Sequence, residues 1–556
     1  MYYLTTAMSL SAAGDTYFLW FSDVHYDPYY STKDAYTAGY NSKAVCNSTS
    51  IPSMGSVGCD SPKSLVDSAL AHASKVAASP SFIVLSGDSI RHDVDMLFAS
   101  TNHEGSENRV KSEVQIAAHA EYHADAMQEG GQIIKNLVAL FDDAFPDVEI
   151  IVSIGNNDIV PDYYLQLPFA STSNLTLTSE DSGMLGIIYN ALYGNDEEES
   201  SNYNQLGEKR RRRSSLSAED SSTFLKGGYY SRALPNGITV LSLNTVLYSS
   251  FFGPKPLNSD DPGEQFAWMR NTLMNIRERG NSQAIVVGHI SPAMGSFRHS
   301  QLWKEKYIHV YYEIIGEFDD VIIGQLFGHL HSDEFRVGTG TSGIPSSLST
   351  PLLLAGSLTP IHGNNPSFRK VFYDGDAADD SGSYKLLDYE SHRYSKTDNN
   401  TGDWSKLYTF SETYGTAIEE IKTEGLSANV FRSLLRSMDD EEGNMSPAMN
   451  SFLSLVNSGS DGDIEADLTF AECDANCRAE WLCVLSGTTT VFQYNKCLLQ
   501  KRRSNKHMIG IAGAALFAAA LLFIMLVRSW RRRNKNQYES PASVEGTIEI
   551  EDHEML

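Results

Sequence analysis

The sequence predicts an α/β sandwich, and two features of the chain support that fold class. Short apolar runs rich in β-branched residues alternate with segments of helical periodicity, for example at 62–78 and 263–280. Such alternation is typical of sheets covered by helices. The chain also has 556 residues, which is too long for one ordinary core, so we expect a large main domain with appendages.

Five of the apolar runs are followed at once by residue types that bind metal ions. The runs lie at 17–22, 82–86, 148–154, 284–287 and 321–327. The residues that follow them are Asp23-Val24-His25, Gly87-Asp88, Gly155-Asn156-Asn157-Asp158, Gly288-His289 and Gly328-His329-Leu330-His331. Ligands of an α/β protein gather at the carboxyl ends of its strands, and glycine lets the backbone turn beside a bound group. The pattern therefore predicts a two-metal site.

This ordered set of motifs resembles the calcineurin-like metallophosphoesterase family. Other stretches resemble its acid sphingomyelinase-like phosphodiesterase branch, and they lie at 23–28, 59–62, 87–93, 324–329, 364–369 and 384–389. The endopolyphosphatases are close relatives of that branch and share several of these stretches. The resemblance covers roughly residues 17–498, and it implies a sandwich of two sheets flanked by helices.

The resemblance also implies how the metal ions are held. One ion would take Asp23, His25 and His331, the other would take Asn156, His289 and His329, and Asp88 would bridge them. A hydroxide shared by the ions would then attack phosphorus in line with the leaving oxygen. Mixed nitrogen and oxygen ligation favours Zn²⁺, and it leaves iron and manganese open.

The residue after the ligand Asn156 departs from the branch, which has a histidine there that assists the leaving group. In this chain the residue is Asn157, and an amide can donate a hydrogen bond but cannot deliver a proton near neutral pH. His92 matches the second histidine of the branch, so we expect it to be the proton donor. Asn365 and Arg369 are candidates for the rim of the site, and a structural turn is the alternative for both.

The six cysteines and the glycosylation sequons indicate an oxidising compartment. Cys46 and Cys59 bracket a polar loop, whereas four cysteines crowd one C-terminal stretch without the paired Cys-x-x-Cys spacing of a zinc knuckle. We expect all six to form disulfides. Four cysteines allow three pairings, and the resemblance implies Cys473–Cys477 and Cys483–Cys497. The candidate glycosylation sites are Asn47, Asn174 and Asn399.

Five segments make up the predicted organisation of the chain. They are an atypical or truncated signal segment at 1–16, a metallophosphoesterase domain at 17–397 with a disordered insertion at 195–222, a small helical cysteine-containing subdomain at 398–498, a transmembrane helix at 508–527 and a cytosolic tail at 528–556. The first segment lacks the basic start of an ordinary signal peptide.

The predicted membrane anchor rests on the uninterrupted apolar run at 508–527. About 20 helical residues span a hydrocarbon core of roughly 30 Å. Charged residues flank both ends of the run so evenly that the positive-inside rule barely orients it. Cysteines and sequons favour a luminal or extracellular catalytic domain, in a lysosome or vacuole or at the cell surface. A tail-anchored cytosolic enzyme is the alternative.

The net charge of −27 argues against general nucleic-acid binding. Three functions remain after that exclusion. The first is a metal-dependent phosphodiesterase for a small-molecule or lipid phosphodiester. The second is an endopolyphosphatase, which Asn157 and the basic cluster at 209–213 favour. The third is a membrane-tethered binding protein without catalysis. The sequence leaves the oligomeric state open.

Overall fold

The computed structural model describes residues 16–37, 46–48, 51–98, 120–168, 177–194, 215–253, 259–280, 282–340, 343–374, 384–396, 402–416, 418–439, 444–459 and 473–535. Within these ranges, 120–123, 503–518 and 531–535 are described by their backbone alone. The chain divides into two compact units, Met1–Leu498 and Leu499–Leu556. The strands described next lie in the first unit.

Two sheets of six strands each form the centre of the first unit. The strands are β1 (Thr16–Phe21), β2 (Phe82–Leu85), β3 (Glu149–Val152), β4 (Tyr230–Ala233), β5 (Ile238–Ser242), β6 (Gln283–Val287), β7 (Ile322–Phe327), β8 (Glu334–Arg336), β9 (Leu352–Leu354), β10 (Ser367–Tyr373), β11 (Leu386–Lys396) and β12 (Gly402–Thr409). The first sheet has the order β12-β11-β10-β1-β2-β3, and the second has the order β4-β5-β6-β7-β9-β8. The predicted mixed α/β fold with two sheets is confirmed.

The five apolar runs of the sequence became β1, β2, β3, β6 and β7. Within the first sheet β1, β2 and β3 run parallel, and within the second sheet β6 and β7 run parallel beside β5. The two sheets meet between β3 and β5, where the hydroxyls of Ser153 and Ser242 lie 2.9 Å apart. Because parallel strands share one carboxyl edge, each sheet delivers its strand ends to one side.

Helices cover the sheets of the first unit. They are α1 (Lys63–Val76), α2 (Ala120–Ala144), α3 (Met184–Tyr193), α4 (Ala218–Gly227), α5 (Gln265–Arg279), α6 (Glu305–Glu317), α7 (Phe410–Tyr414), α8 (Ile421–Glu424), α9 (Ala428–Met438), α10 (Pro447–Leu455) and α11 (Ala475–Leu485), and α12 (Val491–Lys535) runs on into the second unit. The helices predicted at 62–78 and 263–280 are confirmed as α1 and α5. Helix α5 buries Phe266, Met269, Leu273 and Ile276, whose spacing follows the helical period.

Two predicted boundaries need correction. Strand β12 lies beyond residue 397 and pairs antiparallel with β11, so the first sheet extends into the segment expected to be helical. The insertion expected at 195–222 overlaps helix α4, because the Ser217 hydroxyl accepts a hydrogen bond from the Asp220 N–H and caps that helix. Residues 195–214 of the insertion lie outside the described residues.

Three disulfides join the six cysteines: Cys46–Cys59, Cys473–Cys477 and Cys483–Cys497. The two C-terminal pairings are those that the family resemblance implies. Of the candidate glycosylation sites, Asn47 is exposed, and Asn174 and Asn399 lie outside the described residues.

In the described ranges no helix combines the length and the apolar character needed to cross a membrane, and the transmembrane helix predicted at 508–527 is not supported.

Removing the Cys483–Cys497 disulfide by replacing both cysteines with serine should destabilise the fold by about 3 kcal/mol, because longer closed loops restrict the unfolded chain more. This bond spans a sequence separation of 14. The Cys473–Cys477 bond spans only 4, so the same double substitution there is a matched control with a smaller expected loss. Urea unfolding followed by tryptophan fluorescence measures both, and equal losses would contradict the loop-length argument.

Candidate dinuclear metal site

The loops that follow five strands meet at one buried cluster. Strand β1 leads to Asp23 and His25, β2 to Asp88, β3 to Asn156, β6 to His289, and β7 to His329 and His331. Backbone hydrogen bonds join neighbouring loops: the His25 N–H donates to the Asp88 carbonyl at 3.0 Å. The Gly328 N–H likewise donates to the His289 carbonyl at 2.9 Å. All seven predicted ligands therefore lie together, although they are spread over 300 residues of sequence.

The side chains form two groups with the composition expected of two metal ions. Asp23, His25 and His331 form one group, and Asp88, His289 and His329 form the other, with ligand atoms within 4.8 Å of one another in each. The Asn156 Oδ1 lies 3.2 Å from His289 Nε2, which adds it to the second group. Asp88 Oδ2 lies 3.1 Å from His289 Nε2 and 3.5 Å from His25 Nε2. Asp88 thus links the two groups.

Backbone strain is concentrated in this cluster. Five of the seven residues have positive φ although none is glycine: Asp23 (49°), His25 (44°), Asp88 (53°), His329 (75°) and His331 (58°). Such conformations are uncommon for residues with a Cβ, and they persist where the surroundings enforce them for function. The strain aims these side chains into a common centre.

The glycines of the motifs leave room for the ligands. A Cβ added to Gly155 would lie 2.1 Å from Asp88 Oδ1, and one added to Gly328 would lie 2.7 Å from Asp23 Oδ2. At Gly87 the added atom would lie 2.7 Å from His289 Nδ1. These distances are far below van der Waals contact, so any larger residue would displace a candidate ligand.

The buried carboxylates demand positive charge. Burial, reinforced by the charge of Asp88, raises the pKa of Asp23 to about 7. Burial also opposes ionisation of Asp88, but the neighbouring His289 holds the pKa of Asp88 below its usual range. Although burial lowers the pKa of His289, the Asp88 carboxylate raises it to about 9. Anionic Asp23 and Asp88 are stable at this spacing only when cationic charge lies beside them.

Three of the imidazoles are held in their neutral form, which is the form that binds metals. Burial lowers the pKa of His25 to about 3, with a further contribution from the charge of His92. Burial likewise lowers the pKa of His329 to about 3, with a further contribution from the charge of His289. Burial also holds the pKa of His331 well below its usual value. Within the described part of the chain, two buried nitrogen atoms, His25 Nε2 and His331 Nδ1, have no hydrogen-bond partner. The donor set therefore fits two divalent cations.

His92 lies beside the cluster with its ring fixed on three sides. It stacks between His25, at a centroid distance of 4.0 Å, and Tyr36, at 5.1 Å. Its Nδ1 lies 2.9 Å from Asp60 Oδ1, and its backbone N–H donates to Asp60 Oδ2 at 2.8 Å. Burial lowers the pKa of His92, but the Asp60 charge outweighs it and raises the pKa to about 9. His25, Asp60 and His92 also lie close enough to form a metal-binding group, but the hydrogen bond between Asp60 and His92 already uses one atom of each.

Asn157 contacts the shared candidate ligand Asp88 through two hydrogen bonds. Its side-chain Nδ2 donates to Asp88 Oδ2 at 2.8 Å, and its backbone N–H donates to Asp88 Oδ1 at 2.8 Å. Both donors are thus directed at the shared carboxylate rather than at a leaving group. Asn157 therefore orients Asp88.

The two candidates for the rim, Asn365 and Arg369, make structural contacts. Arg369 is 1% exposed, pairs with Asp333 and lies over the rings of Trp20 and Tyr389. The reason is that β10 pairs with β1 and directs this side chain into the interior. Asn365 donates from Nδ2 to the Ser458 carbonyl at 3.1 Å. It therefore fastens its turn to the loop after α10.

Sequence reasoning missed three carboxylates that organise the site. Asp158 accepts hydrogen bonds from the N–H groups of Gly155, Ser89 and Ile90, which ties the loop after β3 to the loop after β2. Asp162 accepts from Asn156 Nδ2 at 3.0 Å and so leaves the amide oxygen for the site. Asp60 and Asp158 lie within the motif stretches, and that was the available signal. Asp162 follows Pro161 and lies in no motif, so no sequence signal pointed to it.

The chain is similar to several named phosphodiesterases. Sphingomyelinase phosphodiesterase D of Dictyostelium discoideum is 25% identical over 386 residues, which cover 69% of this chain and 72% of that protein. Cyclic GMP-AMP phosphodiesterase SMPDL3A of Homo sapiens is 27% identical over 423 residues, which cover 73% of this chain and 76% of that protein. Sphingomyelin phosphodiesterase A of Dictyostelium discoideum is 24% identical over 491 residues, covering 86% of this chain and 68% of that protein. No family model matches the chain.

The two-sheet fold and the cluster of candidate ligands agree with the resemblance to the calcineurin-like metallophosphoesterases. The relatives support the acid sphingomyelinase-like branch as the part of that family to which this chain is similar. It is a metal-dependent phosphoric ester hydrolase of the phosphodiesterase class.

Replacing Gly328 with alanine should remove bound metal, because the new Cβ would lie 2.0 Å from Ser22 Oγ and 2.7 Å from Asp23 Oδ2. We expect the metal content per chain, measured by plasma mass spectrometry after zinc loading and dialysis, to fall by half or more. Gly316→Ala is the matched control, since its new Cβ would meet only Leu348 at an ordinary 3.9 Å. Unchanged metal content in Gly328→Ala would show that the cluster does not depend on this close approach.

Proposed function

We propose that this phosphodiesterase uses two zinc ions and hydrolyses a small-molecule or lipid phosphodiester by direct attack of water. One observation carries the proposal: Asp88 links two buried groups of candidate ligands that come from separate strand ends. A purely structural cluster would not need two close carboxylates, three neutral imidazoles and five strained backbones at one place.

The residues of the chain would divide the ions as the sequence predicts. Asp23, His25 and His331 would hold one ion, and Asn156, His289 and His329 would hold the other, with Asp88 shared. The mixture of imidazole and carboxylate donors supports zinc. When bound, two such metal ions supply Lewis acidity. They neutralise charge on the phosphate and lower the pKa of water, so that it loses a proton and attacks near neutral pH.

His92 is the proton donor in this proposal. Asp60 occupies Nδ1 of His92, so Nε2 is the atom that can give its proton to the leaving oxygen. The Asp60 carboxylate favours the protonated ring, and stacking on His25 and Tyr36 fixes the orientation of that ring. A fixed, protonated imidazole is what a poor leaving group requires.

Asn157 supports the candidate ligand Asp88 in this proposal. Its amide group orients the carboxylate of Asp88, so the asparagine in place of the branch histidine does not remove the proton donor. The endopolyphosphatase alternative keeps the sequence motif at 155–158 as its support. The basic cluster at 209–213, which was its other support, lies outside the described residues.

We also propose that the enzyme works in an oxidising compartment, either lysosomal or outside the cell. Three disulfides involve all six cysteines, and such bonds are rare where thiols are kept reduced. The exposed Asn47 sequon agrees with this compartment. The relatives are named for sphingomyelin and for cyclic GMP-AMP, so both a lipid and a nucleotide diester belong in the assay.

Asp88→Asn should abolish hydrolysis, because the shared ligand loses its charge; we expect a drop in kcat/KM of about a thousandfold or more. The assay compares sphingomyelin, bis(4-nitrophenyl) phosphate, ATP and long-chain polyphosphate with added Zn²⁺. Turnover of polyphosphate alone would move the chain to the endopolyphosphatases. Absence of any Asp88-dependent turnover would instead support a binding protein.

His92→Ala should slow hydrolysis of diesters with poor alcohol leaving groups by about 10²–10⁴-fold, which is the usual contribution of general acid catalysis. The loss should be under about tenfold for 4-nitrophenyl diesters, whose leaving group needs no proton. Asp60→Asn should show the same dependence on the leaving group with a smaller loss. Steady-state kcat over a series of leaving groups measures both.

His309→Ala is the matched control for these variants, because His309 is an exposed histidine on α6. It should leave the leaving-group dependence unchanged. Equal losses for good and poor leaving groups in His92→Ala would rule out the proton-donor role.

A further inference from the structure

A loop that begins a few residues after His289 is held rigidly beside the candidate metal site. We call residues 294–301 the rim loop; Met294 and Gln301 close it by pairing as an antiparallel bridge. The Met294 N–H donates to the Thr488 carbonyl at 2.9 Å, and the Ser296 hydroxyl donates to Glu334 at 2.6 Å. His299 stacks on Tyr494 at 4.8 Å. The loop is therefore fixed at its base and along one side.

The rim loop reaches the candidate ligands. A Cβ added to Gly295 would lie 3.5 Å from the side chain of Leu330, the residue between His329 and His331. The ring of Phe297 faces His362 at a centroid distance of 6.4 Å, and His362 in turn contacts His331 at 4.5 Å. A continuous row of rings thus leads from the metal site to Phe297.

The tip of the rim loop presents an unusual surface. Phe297 is 50% exposed, and the Arg298 guanidinium lies 4.8 Å from the centre of its ring. Arg298 and His299 have positive φ values of 53° and 46°, which neither residue adopts without a cost in free energy. The loop is thus strained in a conformation that displays an aromatic ring together with a cation.

We propose that Phe297, Arg298 and His362 form a subsite that binds the nucleoside part of a nucleotide diester. Arg298 lies against one face of the Phe297 ring, so the other face of that ring and the ring of His362 are the stacking surfaces for a base, and the guanidinium of Arg298 offers donors to a neighbouring phosphate. This inference rests on the proposed phosphodiesterase function and narrows its substrate to nucleotides.

Charge distinguishes this ligand from a phosphocholine lipid. An exposed aromatic ring would ordinarily attract the quaternary ammonium of choline. At Phe297, however, the guanidinium of Arg298 already lies against the ring, so a second cation would meet a like charge at short range. The chain carries a net charge of −27, which makes a fixed cation at this rim all the more necessary for a polyanionic nucleotide.

Binding of three small probes to the zinc-loaded full chain tests the subsite. Isothermal titration calorimetry would compare adenosine 5′-monophosphate, phosphocholine and inorganic phosphate. We expect wild type to bind the nucleotide at least tenfold more tightly than phosphocholine. In Phe297→Ala and in Arg298→Gln, the ratio of nucleotide affinity to phosphate affinity should fall about tenfold. Arg298→Gln should also reduce the difference in affinity between the nucleotide and phosphocholine.

Met274→Ala and Arg279→Gln are matched controls, because both residues are exposed on α5, an element that does not include the rim loop. They should keep the wild-type affinity ratio. The subsite is overturned if wild type binds phosphocholine as tightly as the nucleotide, or if both rim variants keep the wild-type ratio. Diester hydrolysis that depends on Asp88 is scored separately, so failure of the subsite is distinct from failure of the phosphodiesterase function.

Discussion

The site depends on two carboxylates, Asp23 and Asp88, that are buried within reach of the same imidazole. His289 Nε2 lies 4.0 Å from Asp23 Oδ1 and 3.1 Å from Asp88 Oδ2. Burying two anions this closely is unfavourable unless cations accompany them. Much of the local structure serves this requirement, including the strained loops after β1, β2 and β7, the glycines with no room for a Cβ, and the neutral imidazoles. The fold provides the place for them by bringing the strand ends of both sheets together.

The sequence predicted which residues gather at the candidate site, because the relevant signal is local. Each ligand follows directly after an apolar run, and parallel strands necessarily share an edge, so the period of the strands and the residue types were sufficient. The helices at 62–78 and 263–280 were predictable for the same reason. Helix α4 was missed because a short cap, Ser217 with Asp220, outweighed the polar composition around it.

Residues whose role depends on long-range pairing were beyond sequence reasoning. Arg369 was a candidate for the rim with a structural role as the alternative, and the register of β10 against β1 places it over Trp20 in the interior. The sequence left the role of Asn157 open, and only the folded chain shows that it contacts Asp88. Asp60 lies 32 residues from His92 in sequence, and only the folded chain reveals that it holds this imidazole. Such contacts have no period and no spacing that a single sequence displays.

The attachment of the rim loop to the C-terminal region separates two properties of the enzyme. The metal ligands come from the strands of the sandwich, whereas the loop rests on Thr488, Glu480 and Tyr494, beside the Cys483–Cys497 bond. Substitutions in this C-terminal region can therefore reshape what lies at the mouth of the site without touching a catalytic group. Related enzymes with one ancestral chemistry could diversify in substrate choice through a part of the chain that contributes nothing to the reaction itself.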